Sequence, residues 1–169
     1  MIGKETPILT VDIQSALEVV GTCEPDLEEP PSDSSITQWA QLAYATVRDQ
    51  PSEVTIRLVN ETEMEGLNQD YRGKQGATNV LSFSVELEPE LQAEFDVVLL
   101  GDIVICHSVI IQEALEQHKS VENHYAHMVT HGILHLCGYD HEDVQSAKAM
   151  ELLEINILEK HAILNPYIQ

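Results

Sequence analysis

The feature that most constrains this chain is a cluster of histidines: five of its eight histidines fall between residues 124 and 141. The five are His124, His127, His131, His135 and His141. A helix turns by about 100° per residue, so positions 124, 127, 131 and 135 share one stripe. We therefore predict a helix from Val121 to Cys137, ended by the glycine-containing turn of residues 138–140, with imidazoles along one face.

Three of these histidines have the spacing of a metal site. His131 and His135 lie four residues apart, and the turn after the helix can bring His141 to the same point. Three neutral imidazoles form a catalytic zinc site in which one position stays open for water. Because nickel, cobalt or iron accept the same ligands, we expect one divalent ion, with zinc as the first choice. The pKa of a zinc-bound water falls towards about 7, which makes hydrolysis the expected reaction.

The neighbours of these ligands have less certain roles. We expect His124 and His127 either to orient the ligands and line the cleft, or to be ordinary polar residues of that face. Asp140 precedes His141 and can orient it, although an acidic residue after a helix is more often a solvated cap.

The rest of the chain predicts an α+β fold. Strands are expected at Pro7–Ile13, Val54–Leu58, Val80–Val85 and Val97–Cys106. Helices are expected at Ile36–Asp49, Asn60–Tyr71, Ser108–Gln117, Val121–Cys137 and from Val144 to roughly residue 164, with Ser34 or Ser35 capping the first helix and Asn60 or Thr62 the second. We predict one domain over residues 1–169, with a small mixed four-stranded sheet, about five packed helices and the metal site at the end of a C-terminal helix.

The charge of the chain limits its partners. Eight Lys and Arg residues against 29 Asp and Glu residues give a net charge of -21, which repels a polyanion at long range. No apolar run reaches the roughly 18 to 20 residues of a membrane helix, and the first residues have no secretory signal pattern, so we expect a cytoplasmic protein without a membrane partner.

Gly132 argues against a peptidase. Metallopeptidases with this histidine spacing normally have Glu directly after the first ligand, where it serves as the general base. Because Gly132 occupies that position, the metal site remains but the base is missing. A metallopeptidase therefore stays an alternative that needs a carboxylate from elsewhere.

A second constellation contains two of the eight basic residues. The segment from Asn68 to Phe83 reads NQDYRGKQGATNVLSF and combines basic, small and polar side chains. Its candidate phosphate-binding residues are Arg72, Lys74, Thr78, Asn79 and Ser82. A guanidinium can grip a phosphodiester with two hydrogen bonds and stabilise negative charge in the transition state. The alternative interpretation is a solvated turn.

Four segments of the chain resemble one known family. HGILHLCGYDH (131–141) and YRGKQGATNVLSF (71–83) closely resemble the YbeY family of metal-dependent single-strand endoribonucleases. LGDIVIC (100–106) is similar to its central strand, and HYAHMVTHG (124–132) to the helix before its ligands. The resemblance implies zinc on His131, His135 and His141, with Arg72 and His131 as the catalytic residues. It further implies a role in ribosomal RNA maturation and ribosome quality control, with single-stranded or ribosomal RNA and the small ribosomal subunit as partners, and no action on DNA.

Two departures bear on that expectation. The family's loop often reads Arg-Gly-Lys-Asp-Lys-Pro-Thr-Asn, whereas residues 75–77 here are Gln, Gly and Ala, so one basic and one rigid residue are missing. The second is the net charge, and we expect the acidic runs of residues 24–33 and 86–96 to point away from a locally positive cleft. A non-enzymatic ribosome-associated factor also stays open, in which Cys137 or His127 closes a structural zinc site.

Overall fold

The computed structural model describes residues 8–17 and 28–168 and confirms the α+β fold. Its strands are β1 (Leu9–Ser15), β2 (Ser52–Val59), β3 (Val80–Ser84) and β4 (Val98–Cys106). Its helices are α1 (Asp33–Val47), α2 (Glu61–Arg72), α3 (Pro89–Gln92), α4 (His107–Glu116), α5 (Val121–Leu136) and α6 (Val144–Lys160). The one unexpected element is the four-residue α3, which lies in the acidic connector between β3 and β4.

The sheet is mixed, as predicted. Its order is β1-β2-β4-β3, with β1 parallel to β2, β2 parallel to β4, and β3 antiparallel to β4. In the inner strand β4, Ile103 and Ile105 belong to one hydrophobic cluster, whereas Val104 and Cys106 belong to another. Successive side chains of a strand point to opposite faces, so this strand is covered on both sides.

The larger core lies between the sheet and helices α1 and α5, and the smaller one lies beneath α2. The outer face of β2 is half-buried at Thr55 and Arg57. At the end of that strand, Val59 packs against Met64 of α2 in the smaller cluster. Helix α2 thus covers the end of β2, and the loop of residues 73–79 leads from α2 to β3.

Helix α5 is the central helix and contacts α1, α4, α6, β3 and β4. Most of its residues are buried, including Gly132. The side chain of Ile103 occupies the space that a Cβ at position 132 would need. A Cβ at position 132 would lie 3.0 Å from two carbon atoms of Ile103. The helix therefore sits close against β4, and surrounding packing fixes the stripe of histidines that it carries.

Helix starts agree in part with the sequence. The oxygen of Asn60 accepts the N–H of Glu63 at 2.9 Å, as one of the two expected caps of α2. The cap expected for α1 at Ser34 or Ser35 is wrong, because the hydroxyl of Ser32 accepts the N–H of Ser35 at 3.2 Å and the helix begins at Asp33. Residues 18–27, which include Glu24 and Asp26 of the first acidic run, lie outside the described residues.

Over residues 8–17 and 28–168, every helix is either too short or too polar to cross a membrane.

Candidate metal centre

His131, His135 and His141 meet at the C-terminal end of α5, as their spacing predicts. Each contributes one ring nitrogen, and these nitrogens all lie within 4.8 Å of one another. The Nε2 atoms of His131 and His141 are 3.3 Å apart. Two nitrogens bound to one tetrahedral zinc ion at its usual bond length are about 3.3 Å apart. The three imidazoles thus fit a shared divalent ion.

The turn after α5 brings His141 back to the other two ligands. Gly138 has a positive φ of 98°, a conformation that an L side chain rarely adopts. In this turn the N–H of Gly138 donates to the carbonyl of His135, and the N–H of Tyr139 donates to the carbonyl of Leu134, both at 3.0 Å. These bonds satisfy the last carbonyls of the helix and reverse the chain.

Asp140 belongs to this turn and does not touch His141. Its carboxylate accepts the N–H of Glu142 at 3.3 Å. This contact is that of a local cap, the more ordinary of the two roles considered for it.

One of the three histidines, His135, has a protonation state that suits metal binding. Burial, together with repulsion from His131 and His141, lowers the pKa of His135 to about 4. A neutral imidazole at physiological pH offers a free nitrogen lone pair. His131 and His135 are half-buried and His141 is exposed, so the nitrogens face an accessible cleft.

That cleft has a volume of about 460 Å³ and two walls. One wall, called the metal wall here, is formed by His131, His135 and His141. The other, called the loop wall, is formed by Arg72, Thr78, Asn79, Val80, Leu81, Ser82 and Ser84. Among the described residues no Asp or Glu lines the cleft, but Glu86 lines an adjoining pocket that shares Ser84 and His135 with it.

Four of the five predicted phosphate-binding residues line the loop wall. Arg72 ends α2 and is exposed, and no described carboxylate forms a salt bridge with it. Thr78 and Ser82 are half-buried in the same wall. Lys74 is exposed but does not line the cleft. Contact with a phosphate stays a prediction for all five, Asn79 included.

Asn79 has an additional contact that the sequence did not indicate. Its amide donates to both carboxylate oxygens of Glu113, at 2.9 and 3.1 Å, and its own oxygen accepts the N–H of Val80. Glu113 also contacts Nε2 of His124 at 2.9 Å. One α5 histidine is therefore linked to the loop wall through a carboxylate, which gives His124 a positioning contact rather than a place in the cleft.

A second carboxylate, Glu154 of α6, lies behind the metal wall. Its Oε1 is 2.6 Å from Nδ1 of His131, and its Oε2 is 2.9 Å from Nε2 of His127. Burial opposes ionisation of Glu154, but hydrogen bonds from the two histidines outweigh it and lower the pKa to about 2. Sequence reasoning missed this residue. A signal existed, because Glu154 occupies a core position of α6 together with Met150, Ile157 and Leu158.

The two alternatives to a nuclease find no support in the described residues. His127 is bonded to Glu154, and Cys137 is buried outside the cleft, so neither joins the three imidazoles as a fourth ligand. Glu154 reaches His131 from behind, on the nitrogen away from the cleft. The open cleft thus has no described carboxylate to act as a peptidase base.

Comparisons with known proteins agree on one family. The model of a family described as "Endoribonuclease YbeY" matches residues 25–162. Endoribonuclease YbeY of Alteromonas mediterranea is 47% identical over 159 residues, which cover 93% of this chain and 95% of that protein. Endoribonuclease YbeY of an Azoarcus species is 44% identical over 98% of this chain, which spans 62% of that longer relative.

One solved structure supports the fold. The solution structure of TM1509 from Thermotoga maritima matches with a TM-score of 0.56 at 22% identity. The match covers 90% of this chain and 92% of that protein. At this identity the match shows similarity of the fold alone.

Proposed function

Because this chain belongs to the endoribonuclease YbeY family, we propose that it is a zinc-dependent endoribonuclease that cuts single-stranded RNA. Its place is in ribosomal RNA maturation and ribosome quality control in the cytoplasm, with ribosomal RNA and the small ribosomal subunit as partners. DNA is not a substrate. The metallopeptidase and the factor with a structural zinc have no specific observation in their favour.

The observation that carries this proposal is the pairing of two unlike walls across one cleft. Three imidazoles with converging nitrogens face a wall that includes the exposed guanidinium of Arg72. No described acid lines the space between them. A phosphodiester is the kind of substrate that uses both a divalent ion and an arginine.

Different residues of the chain hold the metal ion and bind the substrate. His131, His135 and His141 hold the ion, and burial keeps His135 neutral for that purpose. When bound, the ion supplies Lewis-acid chemistry by lowering the pKa of a coordinated water towards about 7. Arg72 binds the phosphodiester with two N–H donors and stabilises the negative charge that develops at phosphorus.

The polar residues of the loop wall complete substrate binding. The hydroxyls of Thr78 and Ser82 hydrogen-bond to the sugar-phosphate chain, and Lys74 contributes charge from the rim. Asn79 lines the cleft while its amide is held by Glu113. The metal ion and Arg72 together make the cleft locally positive. Repulsion of RNA by the net charge of -21 is weak at this site, because salt screens charges that are more than about 8 Å apart at physiological ionic strength.

The test compares the native chain with His131→Ala and Arg72→Ala. A labelled single-stranded RNA is the substrate, and each protein's metal content is measured in parallel. We expect His131→Ala to lose both the ion and cleavage. Arg72→Ala should keep the ion and lose about 10²- to 10³-fold in kcat/KM, since it loses a group that stabilises the transition state.

Arg57→Ala is the matched control for loss of an arginine. Arg57 is half-buried, pairs with Glu63 at 2.8 Å, and does not line the cleft. Its cleavage rate should equal that of the native chain. Equal cleavage by all variants would identify a contaminating nuclease, and equally fast cutting of DNA of the same sequence would contradict an RNA-specific enzyme.

A further inference from the structure

The buried carboxylate of Glu154 is the group that the proposed reaction leaves unused. Its side chain is fully buried, yet it is surrounded by three polar hydrogens rather than by apolar atoms alone. The donors are Nδ1 of His131, Nε2 of His127 and the hydroxyl of Tyr167. A buried ionised carboxylate needs such partners, since an unpaired charge away from water is costly.

The hydrogen bonds fix where the protons of both imidazoles lie. An ionised carboxylate only accepts, so the N–H groups must be on Nδ1 of His131 and on Nε2 of His127. When His131 is neutral it carries one N–H, and because that N–H faces Oε1 of Glu154 the lone pair is on Nε2. This is the nitrogen that lies 3.3 Å from Nε2 of His141. The carboxylate thus turns the metal-binding nitrogen of His131 towards the cleft.

The C-terminal segment takes part through Tyr167. Its hydroxyl donates to Oε2 of Glu154 and lies 3.3 Å from Nε2 of His127. Its ring packs edge-on against the His127 ring, with centroids 5.4 Å apart. Tyr167 therefore holds the oxygen that is not used by His131, and it closes the network from the side opposite the cleft.

From this geometry we infer that Glu154 and Tyr167 are positioning residues of the metal centre: they fix the tautomer and orientation of His131 and thereby set the affinity for the ion. The inference rests on the proposed metal site. It assigns the last residues of the chain a part in metal binding, although Tyr167 itself is not placed to touch the ion. It also gives His127 a role, because that histidine holds the second oxygen of the same carboxylate.

The first experiment measures zinc affinity by competition with a chelator, using Glu154→Gln and its matched control Glu113→Gln. Both carboxylates pair with a histidine of α5, but His124 is not a ligand. An amide has only one acceptor oxygen for three donors. We expect Glu154→Gln to weaken zinc binding by about 10- to 100-fold, the usual effect of removing a partner of a ligand. Glu113→Gln should bind zinc as the native chain does.

A milder pair of variants covers the case in which Glu154→Gln does not fold. Tyr167→Phe removes one hydroxyl from a side chain that is 45% exposed, and it should weaken zinc binding less than Glu154→Gln does. Tyr125→Phe is its control, because the Tyr125 hydroxyl bonds to His107 at 2.5 Å, away from the metal wall. Tyr125→Phe should lower thermal stability without changing zinc affinity. Stability of the metal-free proteins, measured alongside, separates a structural role from positioning.

The native chain provides a direct readout without any substitution. Nitrogen-15 NMR of the metal-free protein should find the His131 proton on Nδ1 and the lone pair on Nε2. A proton on Nε2 would overturn the inference, and so would equal zinc affinity for Glu154→Gln and Glu113→Gln. None of these measurements involves RNA. If zinc binding depends on Glu154 but RNA is not cut, the proposed function fails while this inference stands.

Discussion

The two walls of the cleft differ in how firmly the fold holds them. Two of the three histidines of the metal wall stand on α5, most of whose residues are buried, and Glu154 braces His131 from behind. In the loop wall, Thr78 and Asn79 belong to residues 73–79, which form neither helix nor strand and of which 73–76 are exposed, whereas four other residues of this wall belong to β3. A side-chain bond to that loop comes from the buried Asn68, whose amide donates to the carbonyl of Gly76 at 2.8 Å. Folding thus fixes the part of the metal wall on α5 and the part of the loop wall on β3, whereas the exposed residues 73–76 that lead into the loop wall are held by fewer contacts.

This contrast suits the two tasks. A metal site needs ligands within a few tenths of an ångström of their final places before the ion arrives. A phosphodiester chain varies in shape along its length, so a wall that binds it gains from a loop. We therefore expect substitutions in the two walls to have different effects. Substitutions in the metal wall should cause loss of the ion, whereas substitutions in the loop wall should weaken RNA binding or cleavage while the ion is retained.

Removal of the ion should have the largest effect. Dialysis against a chelator should abolish RNA cleavage, because Arg72 alone supplies no nucleophile. Adding one equivalent of zinc should restore the rate, since the three imidazoles remain folded in place. Cleavage assays before and after zinc addition check this. Full activity in the chelated protein would show that the metal wall is not the catalytic one.

Arg72→Lys should have the next largest effect and should sharpen the difference between the walls. Lysine keeps the charge but loses the planar pair of donors, so we expect kcat/KM to fall by roughly tenfold while zinc affinity is unchanged. Arg57→Lys, outside the cleft, is the control and should match the native chain. A fall in zinc affinity on Arg72→Lys would mean that the walls are not independent.

Asn68→Ala should have a smaller effect, confined to the loop wall. Loss of its bond to Gly76 loosens the loop by about 1 kcal/mol, which corresponds to roughly a fivefold rise in KM for single-stranded RNA. Zinc affinity should not change. Steady-state kinetics and chelator competition on the same preparation check both statements, and an unchanged KM would indicate that the loop needs no anchor.

Gly132→Ala should have the smallest effect on activity and should probe why the metal wall is firm. The added Cβ would press on Ile103, which is fully buried in β4, and we expect the free energy of unfolding to fall by about 1 kcal/mol. Ile103→Val in the same chain should recover part of that loss, because it makes room for the methyl group. Denaturant unfolding of the single and double variants tests the pair. Stabilisation by Gly132→Ala would mean that α5 can move away from the sheet.

The metal ligands could be found from sequence because their geometry is local. The four-residue spacing of His131 and His135 and the turn at Gly138 act within one helix and its end, where periodicity is informative. Arg72 was singled out because its loop combines basic, small and polar side chains, and the resemblance to a family gave it an expected catalytic role. The fold class and the four strands of the mixed sheet also followed from patterns of neighbouring residues.

The contacts that the sequence did not indicate are all long-range. Glu154 lies 23 residues from His131 along the chain, and Glu113 lies 34 residues from Asn79. Their roles exist only once α6 and α4 pack against α5. The strand order is likewise set by packing between distant segments. The four-residue α3 is too short to produce a helical period in the sequence. A charged residue in an apolar helix stripe, as at Glu154, indicates that another part of the chain supplies a hydrogen-bonding partner.

The central claim is that three imidazoles hold one ion and leave a position open. X-ray absorption at the zinc edge of the native protein, loaded with one equivalent of zinc, tests it most directly. The account predicts nitrogen ligands at about 2.0 to 2.1 Å, three of them imidazoles, together with one oxygen from water. A sulfur at about 2.3 Å or a fourth imidazole would mean a closed structural site, and would contradict the hydrolase.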